Sequence, residues 1–110
     1  MRSHKKWYEI NMSNLELKQD AITRSIINQL VRSATSVGAN YRESQSASSH
    51  KDFRNKIYIC KKEIDETRYW LRIICVCFPE LKPKVAEMAS ECKQLANIFH
   101  AATITIEKNT

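Results

Sequence analysis

Residues 49–78 read SHKDFRNKIYICKKEIDETRYWLRIICVCF, and this stretch decides the fold. Its apolar or near-apolar positions are Phe53, Ile57, Cys60, Ile64, Thr67, Leu71, Ile74 and Phe78. The steps alternate four and three without a miss, which lines one face of an α-helix; a strand would need steps of two. Ser49 supplies a capping hydroxyl, and Asp52 three residues on places an acid at the positive helix end. No Gly or Pro interrupts the run until Pro79 stops it. A helix of this length, roughly 45 Å, is too long for a small globule unless it is one rod of a bundle.

A second stripe follows the same spacing on the opposite side of this rod: Arg54, Tyr58, Lys61, Asp65, Arg68 and Arg72. It is mostly cationic and carries one aromatic ring. Lys51, Lys56 and Lys62 flank it. A line of Arg and Lys can track phosphates, and Tyr58 can stack a base. Two other readings stay open. Asp65, three residues before Arg68 and four after Lys61, can pair with either in an ordinary solvated face. Tyr69 and Trp70, beside the apolar stripe, can instead turn the helix into a subunit interface.

The helix after Pro79 is read over 80–107. Leu81, Val85, Met88, Cys92, Leu95, Phe99, Ala102 and Ile106 again step by four and three. Pro83 is tolerated in a first turn, where its missing N–H is not needed. So short a connection folds this helix back antiparallel to the one before it. The helix before is read over 20–47, with Ile22, Ile26, Leu30, Ala34, Val37 and Tyr41 on one face and Ile27 broadening it. Its middle, Ser33 to Asn40, is rich in small residues, and Gly38 there costs about 1 kcal/mol against Ala in a helix interior. A close helix crossing or a kink would account for that glycine. Residues 1–17 have anchors at Trp7, Ile10, Met12, Leu15 and Leu17 but no clean period. They read as a short first helix or arm, over roughly 4–16, with Asp20 capping the next helix; a capping-box start at Ser13 is the alternative. The whole is an all-α, up-and-down antiparallel four-helix bundle in one domain over 1–110, with its first helix short or missing. Heptad-like spacing predicts left-handed packing near +20°.

Composition narrows the function classes. With 110 residues, 43% hydrophobic and 27% charged, the chain suits one folded core better than disorder. No apolar run approaches the ~20 residues needed to span a bilayer. Residues 1–13 hold Arg2, Lys5, Lys6 and Glu9 and lack the apolar centre of a signal peptide, so the expected location is cytoplasmic. The formal net charge is +6, and the segment 49–78 alone contributes +3. A polyanionic partner, nucleic acid before membrane, fits that excess.

Catalytic and metal chemistry find little support. Glu63 and Glu66 share a helix face as in magnesium-dependent helical pyrophosphohydrolases, but Glu87 and Glu91 do not complete the required second pair. Surface pairing, for instance of Lys62 with Glu66, is the simpler account. His4, His50 and His100 share no spacing, and one glycine cannot build a phosphate loop. Cys60 and Cys92 fall on apolar stripes, while Cys75 and Cys77 point to different faces, so all four read as reduced thiols. No enzyme activity, cofactor or metal is expected.

Two segments taken together resemble a known family. One is QLVRSATSVGANYRE, Gln29 to Glu43. The other is Asp52-Phe53, Lys56, Ile59, Lys62-Glu63, then Glu66-Thr67, Tyr69-Trp70-Leu71. Their order and spacing are similar to the bacterial four-helix bundle proteins named after the 23S rRNA intervening sequence, a group that includes the accessory protein of diversity-generating retroelements. The resemblance covers about residues 20–105. It implies an antiparallel four-helix bundle, a ring-like homopentamer and no enzyme activity. In the retroelement branch it implies a basic ring that binds nucleic acid and a reverse transcriptase. The family has a longer first helix before the Gln-Leu-x-Arg-Ser motif than the 28 residues here accommodate. The residues that carry over are Gln29, Arg32, Ser33, Gly38, Asn40, Glu43, Asp52, Glu63, Glu66, Tyr69 and Trp70, and they suit packing and assembly better than chemistry.

Overall fold

The structure, a computed structural model, describes residues 21–109. The expected arm or short helix over 1–17 lies outside the described residues. Within them the chain is all-α: α1 spans Ala21–Gln45, α2 His50–Cys77 and α3 Lys82–Lys108, with one 3-10 turn at Pro79–Leu81 before α3. The first and last helices thus fall within two residues of the spans read from spacing. No helix described is long and apolar enough to cross a membrane.

Local chemistry explains the ends of α2. Ser49 is extended, and its hydroxyl accepts from the Asp52 N–H at 3.0 Å, satisfying one donor of the first turn. The Asp52 carboxylate in turn accepts from the Ser48 N–H at 3.4 Å. At the other end the Phe78 N–H closes the last turn on Ile74 O at 2.8 Å, and Pro79 prevents continuation.

Side-chain pairs between helices fix their directions. Lys56, early in α2, reaches Glu43, late in α1; Arg54, also early in α2, reaches Glu107, at the end of α3. Both neighbours therefore run antiparallel to α2. The molecule measures 47 × 25 × 20 Å. Its long dimension is close to the ~42 Å of a helix the length of α2, as expected of rods laid side by side.

The core is the seam of all three. Ile57, Cys60, Ile64, Thr67, Leu71 and Ile74 of α2 are buried, as are Val85, Met88, Cys92, Leu95, Phe99 and Ile106 of α3. Phe53 and Phe78, at the ends of the predicted stripe, are half-buried. In α1 the seam differs from the expectation. Leu30, Ala34 and Val37 are buried, but Ile22 is 73% exposed and Tyr41 39% exposed. Thr23, Ser33 and Ser44 take the inward places instead. Ser33 is fully buried because Thr67 of α2 donates to its Oγ at 2.9 Å, while Ser33 itself donates to Leu30 O at 3.1 Å. The small polar residue lets the helices approach and is satisfied on both sides.

Gly38 does not serve a close helix crossing. A Cβ built on it meets no atom within 4 Å, and its φ is not positive. The helix runs through it without a break. The close contacts of α1 are made by Ser33, Ala34 and Val37 instead. Gly38→Ala is therefore expected to stabilise the protein by about 0.5–1 kcal/mol, through helix propensity and a less flexible unfolded chain. A urea midpoint at or below that of the parent would show that the glycine has a role in packing.

The four cysteines are free. Burial pushes the Cys60 thiol up to about 11 and the Cys92 thiol up to about 12. The Cys60 thiol also donates to Val37 O at 3.7 Å. Cys77 is exposed. Since the thiolate is the reactive form, iodoacetamide at pH 8 is expected to alkylate Cys77 within minutes and to leave Cys60 and Cys92 unmodified until denaturant is added. Mass mapping of the labelled peptides checks this; early label on Cys92 would contradict the seam.

Candidate nucleic-acid interface

The cationic stripe of α2 is not on the side directly opposite the core. It lies on the flank that faces α3, where Arg54, Tyr58, Lys61 and Arg68 are half-buried. Arg72 and Asp65 remain exposed. The reason is architectural: α1 and α3 pack on either side of α2, so a stripe about a quarter-turn from the apolar seam abuts a neighbour.

That position changes the state of several cations. The Tyr58 hydroxyl donates to Glu107 Oε1, and Arg54 lies 3.5 Å from the same carboxylate oxygen. The Arg54 guanidinium carbon also stands 5.6 Å from the centre of the Tyr58 ring, a cation–π arrangement. The hydrogen bond to Glu107, followed by partial desolvation, raises the Tyr58 phenol above its ordinary pKa. Arg54, Asn55, Tyr58, Ile59 and Glu107 together line a shallow open depression. Arg68 is 3.9 Å from Asp65, the pairing that the sequence offered; Lys61 makes no such contact with it.

Lys56 is separate from the stripe. It lies about 140° around the helix from Lys61 at 100° per residue, and its ammonium binds Glu43 of α1 at 2.8 Å. That hydrogen bond raises the Lys56 pKa. Lys61, Lys62 and Arg72 form no ion pair among the described residues. Lys62 and Arg72 are exposed, and Lys61 is half-exposed. Lys51, at the start of α2, is exposed as well.

The opposite flank of α2 holds a different cluster. Arg32 of α1 donates to Glu63 at 2.9 Å and to Glu66. The Arg32 Nε also donates to Gln29 at 3.2 Å, and Trp70 Nε1 donates to Glu66 at 3.4 Å. Glu63 is buried, and the Arg32 hydrogen bond holds the Glu66 carboxyl below the usual carboxylate range. Glu66 thus pairs with another helix, not with Lys62. Gln29, Arg32, Glu63, Glu66 and Trp70, all drawn from the two quoted segments, form one interhelical lock. The cluster sets the rotation and register of α1 on α2. Among the described residues no three His, Cys, Asp or Glu side chains are grouped to hold a metal ion.

Fold and site together define a class: an antiparallel helical bundle with a polar lock on one flank of its central rod and, on the other, a row of cations of which Lys61 and Arg72 have no ion pair among the described residues. The sequence pattern of the 23S rRNA-intervening sequence protein family matches residues 2–101, so the chain belongs to that family. It is similar to the crystal structure of a protein of unknown function from the S23 ribosomal protein family of Bacteroides thetaiotaomicron VPI-5482. That likeness has a TM-score of 0.77 and 24% sequence identity, and it covers 93% of this chain and 92% of that one. It bears on the fold alone. No curated protein matches the chain.

Proposed function

We propose that this protein is a non-enzymatic, cytoplasmic nucleic-acid-binding module that grips RNA or DNA phosphates with the outward cations of α2. The observation that carries the reading is the set Lys61, Lys62 and Arg72, which no acid among the described residues neutralises. Arg54 and Arg68 extend the same line, half-buried beside their acids. A net charge of +6 supplies the long-range attraction. Phosphate contacts carry no sequence information directly, so binding is expected to be tolerant of sequence and steeply dependent on salt. Anisotropy titrations of short RNA and DNA at two salt concentrations test this. Absence of binding at low salt, or affinity independent of salt, would remove the reading.

A second reading draws on the same outward surface. Tyr69 is 46% exposed and Val76 76% exposed, and the Tyr69 ring stands edge-on to Trp70 at 5.0 Å. An apolar pair of this kind favours a protein neighbour, either further copies of the chain, in the pentameric ring that family resemblance implies, or another protein such as a reverse transcriptase. Light-scattering mass across salt concentrations separates the two. A charge reversal that dissociates the assembly while leaving nucleic-acid affinity untouched makes the scaffold the primary role.

A further inference from the structure

Glu107 comes from the last turn of α3, yet it sits on two members of the α2 stripe, Arg54 and Tyr58. Its carboxylate accepts from a phenol O–H and faces a guanidinium. A phosphodiester oxygen uses the same two donors when Arg and Tyr grip a nucleic-acid backbone. The Tyr58 ring, with Arg54 stacked over it, is also held in place by that hydrogen bond. From this geometry we infer that Glu107 is a built-in competitor: its carboxylate occupies a phosphate subsite formed by Arg54 and Tyr58, and a bound nucleic-acid strand displaces it. The inference rests on the phosphate-gripping reading above.

Three features make the carboxylate displaceable. Its side chain is 57% exposed, so water screens the pair. It lies one residue before the end of α3, where a last turn frays most readily. The depression around it is open, and among the described residues Asn55 and Ile59 complete its lining. Arg54, Tyr58 and Glu107 all lie outside the buried core, so exchange of one anion for another on these donors acts at the rim of the seam.

The consequence is measurable with the full chain. Glu107→Gln removes the competing charge but keeps the size and helix propensity of the side chain. Glu87→Gln removes one charge from an exposed position on α3 that no ion pair shown here engages, and so controls for net charge. Single-stranded RNA is expected to bind E107Q at least about threefold more tightly than E87Q at low salt, a modest gain because water screens an exposed pair. Adding Arg54→Ala to E107Q is expected to erase that difference. Circular dichroism establishes that each variant remains helical. If the parent binds RNA and E107Q gains no more than E87Q, or keeps its gain without Arg54, the competitor is refuted while the phosphate-binding reading stands. If neither parent nor E107Q binds, both fall.

Discussion

Leu71→Ala is expected to lower the unfolding free energy by about 3 kcal/mol, whereas Ile22→Ala leaves it within about 0.5 kcal/mol. Both residues lie on stripes with helical spacing, and hydrophobicity alone would rank them together. Leu71 is 1% exposed in the middle of the three-helix seam. Its loss removes apolar contacts and opens a cavity that rods held by neighbours on both sides cannot fully close. Ile22, in the first turn of α1, keeps 73% of its surface in contact with solvent, so truncation there removes little burial. Urea unfolding followed by circular dichroism measures both, and an unchanged slope with a shifted midpoint marks a change in stability. Comparable losses at the two positions would contradict the seam assigned to α1.

Reversing Lys61, Lys62 and Arg72 to Glu is expected to weaken nucleic-acid binding at least about 100-fold near 0.1 M salt. Unlike Arg54 and Arg68, these three have no ion pair among the described residues, so no internal bridge is broken and helicity is retained. Each phosphate contact contributes about −0.7 to the slope of log affinity against log salt on single strands. Losing three is therefore expected to flatten that slope by about 2. Net charge is the confounding variable, because the triple reversal takes the formal total from +6 to zero. Reversing Arg42, Lys82 and Lys93 changes the total equally, at exposed positions on α1 and α3. If that second triple weakens binding as much as the first, attraction is diffuse and the α2 face is not the site. If the first triple leaves affinity intact but lowers the light-scattering mass, the face is an assembly surface.

The seams of α2 and α3 were legible because a helix writes its burial pattern into the chain at steps of three and four. The same is true of the capping pair at Ser49 and Asp52 and of the break at Pro79, which are contacts between near neighbours. α1 was harder to read. Its inward face runs through Thr23, Ser33 and Ser44, and small hydroxylated residues carry no hydropathy signal. Burial of Ser33 depends on Thr67, which is 34 residues away and on another helix. The apolar Ile22 stands largely in solvent and the aromatic Tyr41 is 39% exposed, its ring 6.2 Å from Phe99.

The candidate interface was legible as a row of charges and not as a set of available charges. Glu107 lies 49 residues from Tyr58. No spacing rule links the two, so its place on Arg54 could not be anticipated. The Glu63–Glu66 pair likewise read as a surface feature or half of a metal site until Arg32 arrived from α1 to bind both.

What this chain specified locally was the length of each rod, its ends, its antiparallel turn at Pro79 and the greasy edges of its last two helices, because these depend on backbone geometry and on residues within a few positions of each other. Which acid meets which cation was decided only by assembly. That choice depends on the rotation of each helix about its own axis, and the packed seam and the lock between Arg32, Glu63 and Glu66 set that rotation. Charge in the sequence is a count; charge in the fold is what remains after neighbouring rods have paired.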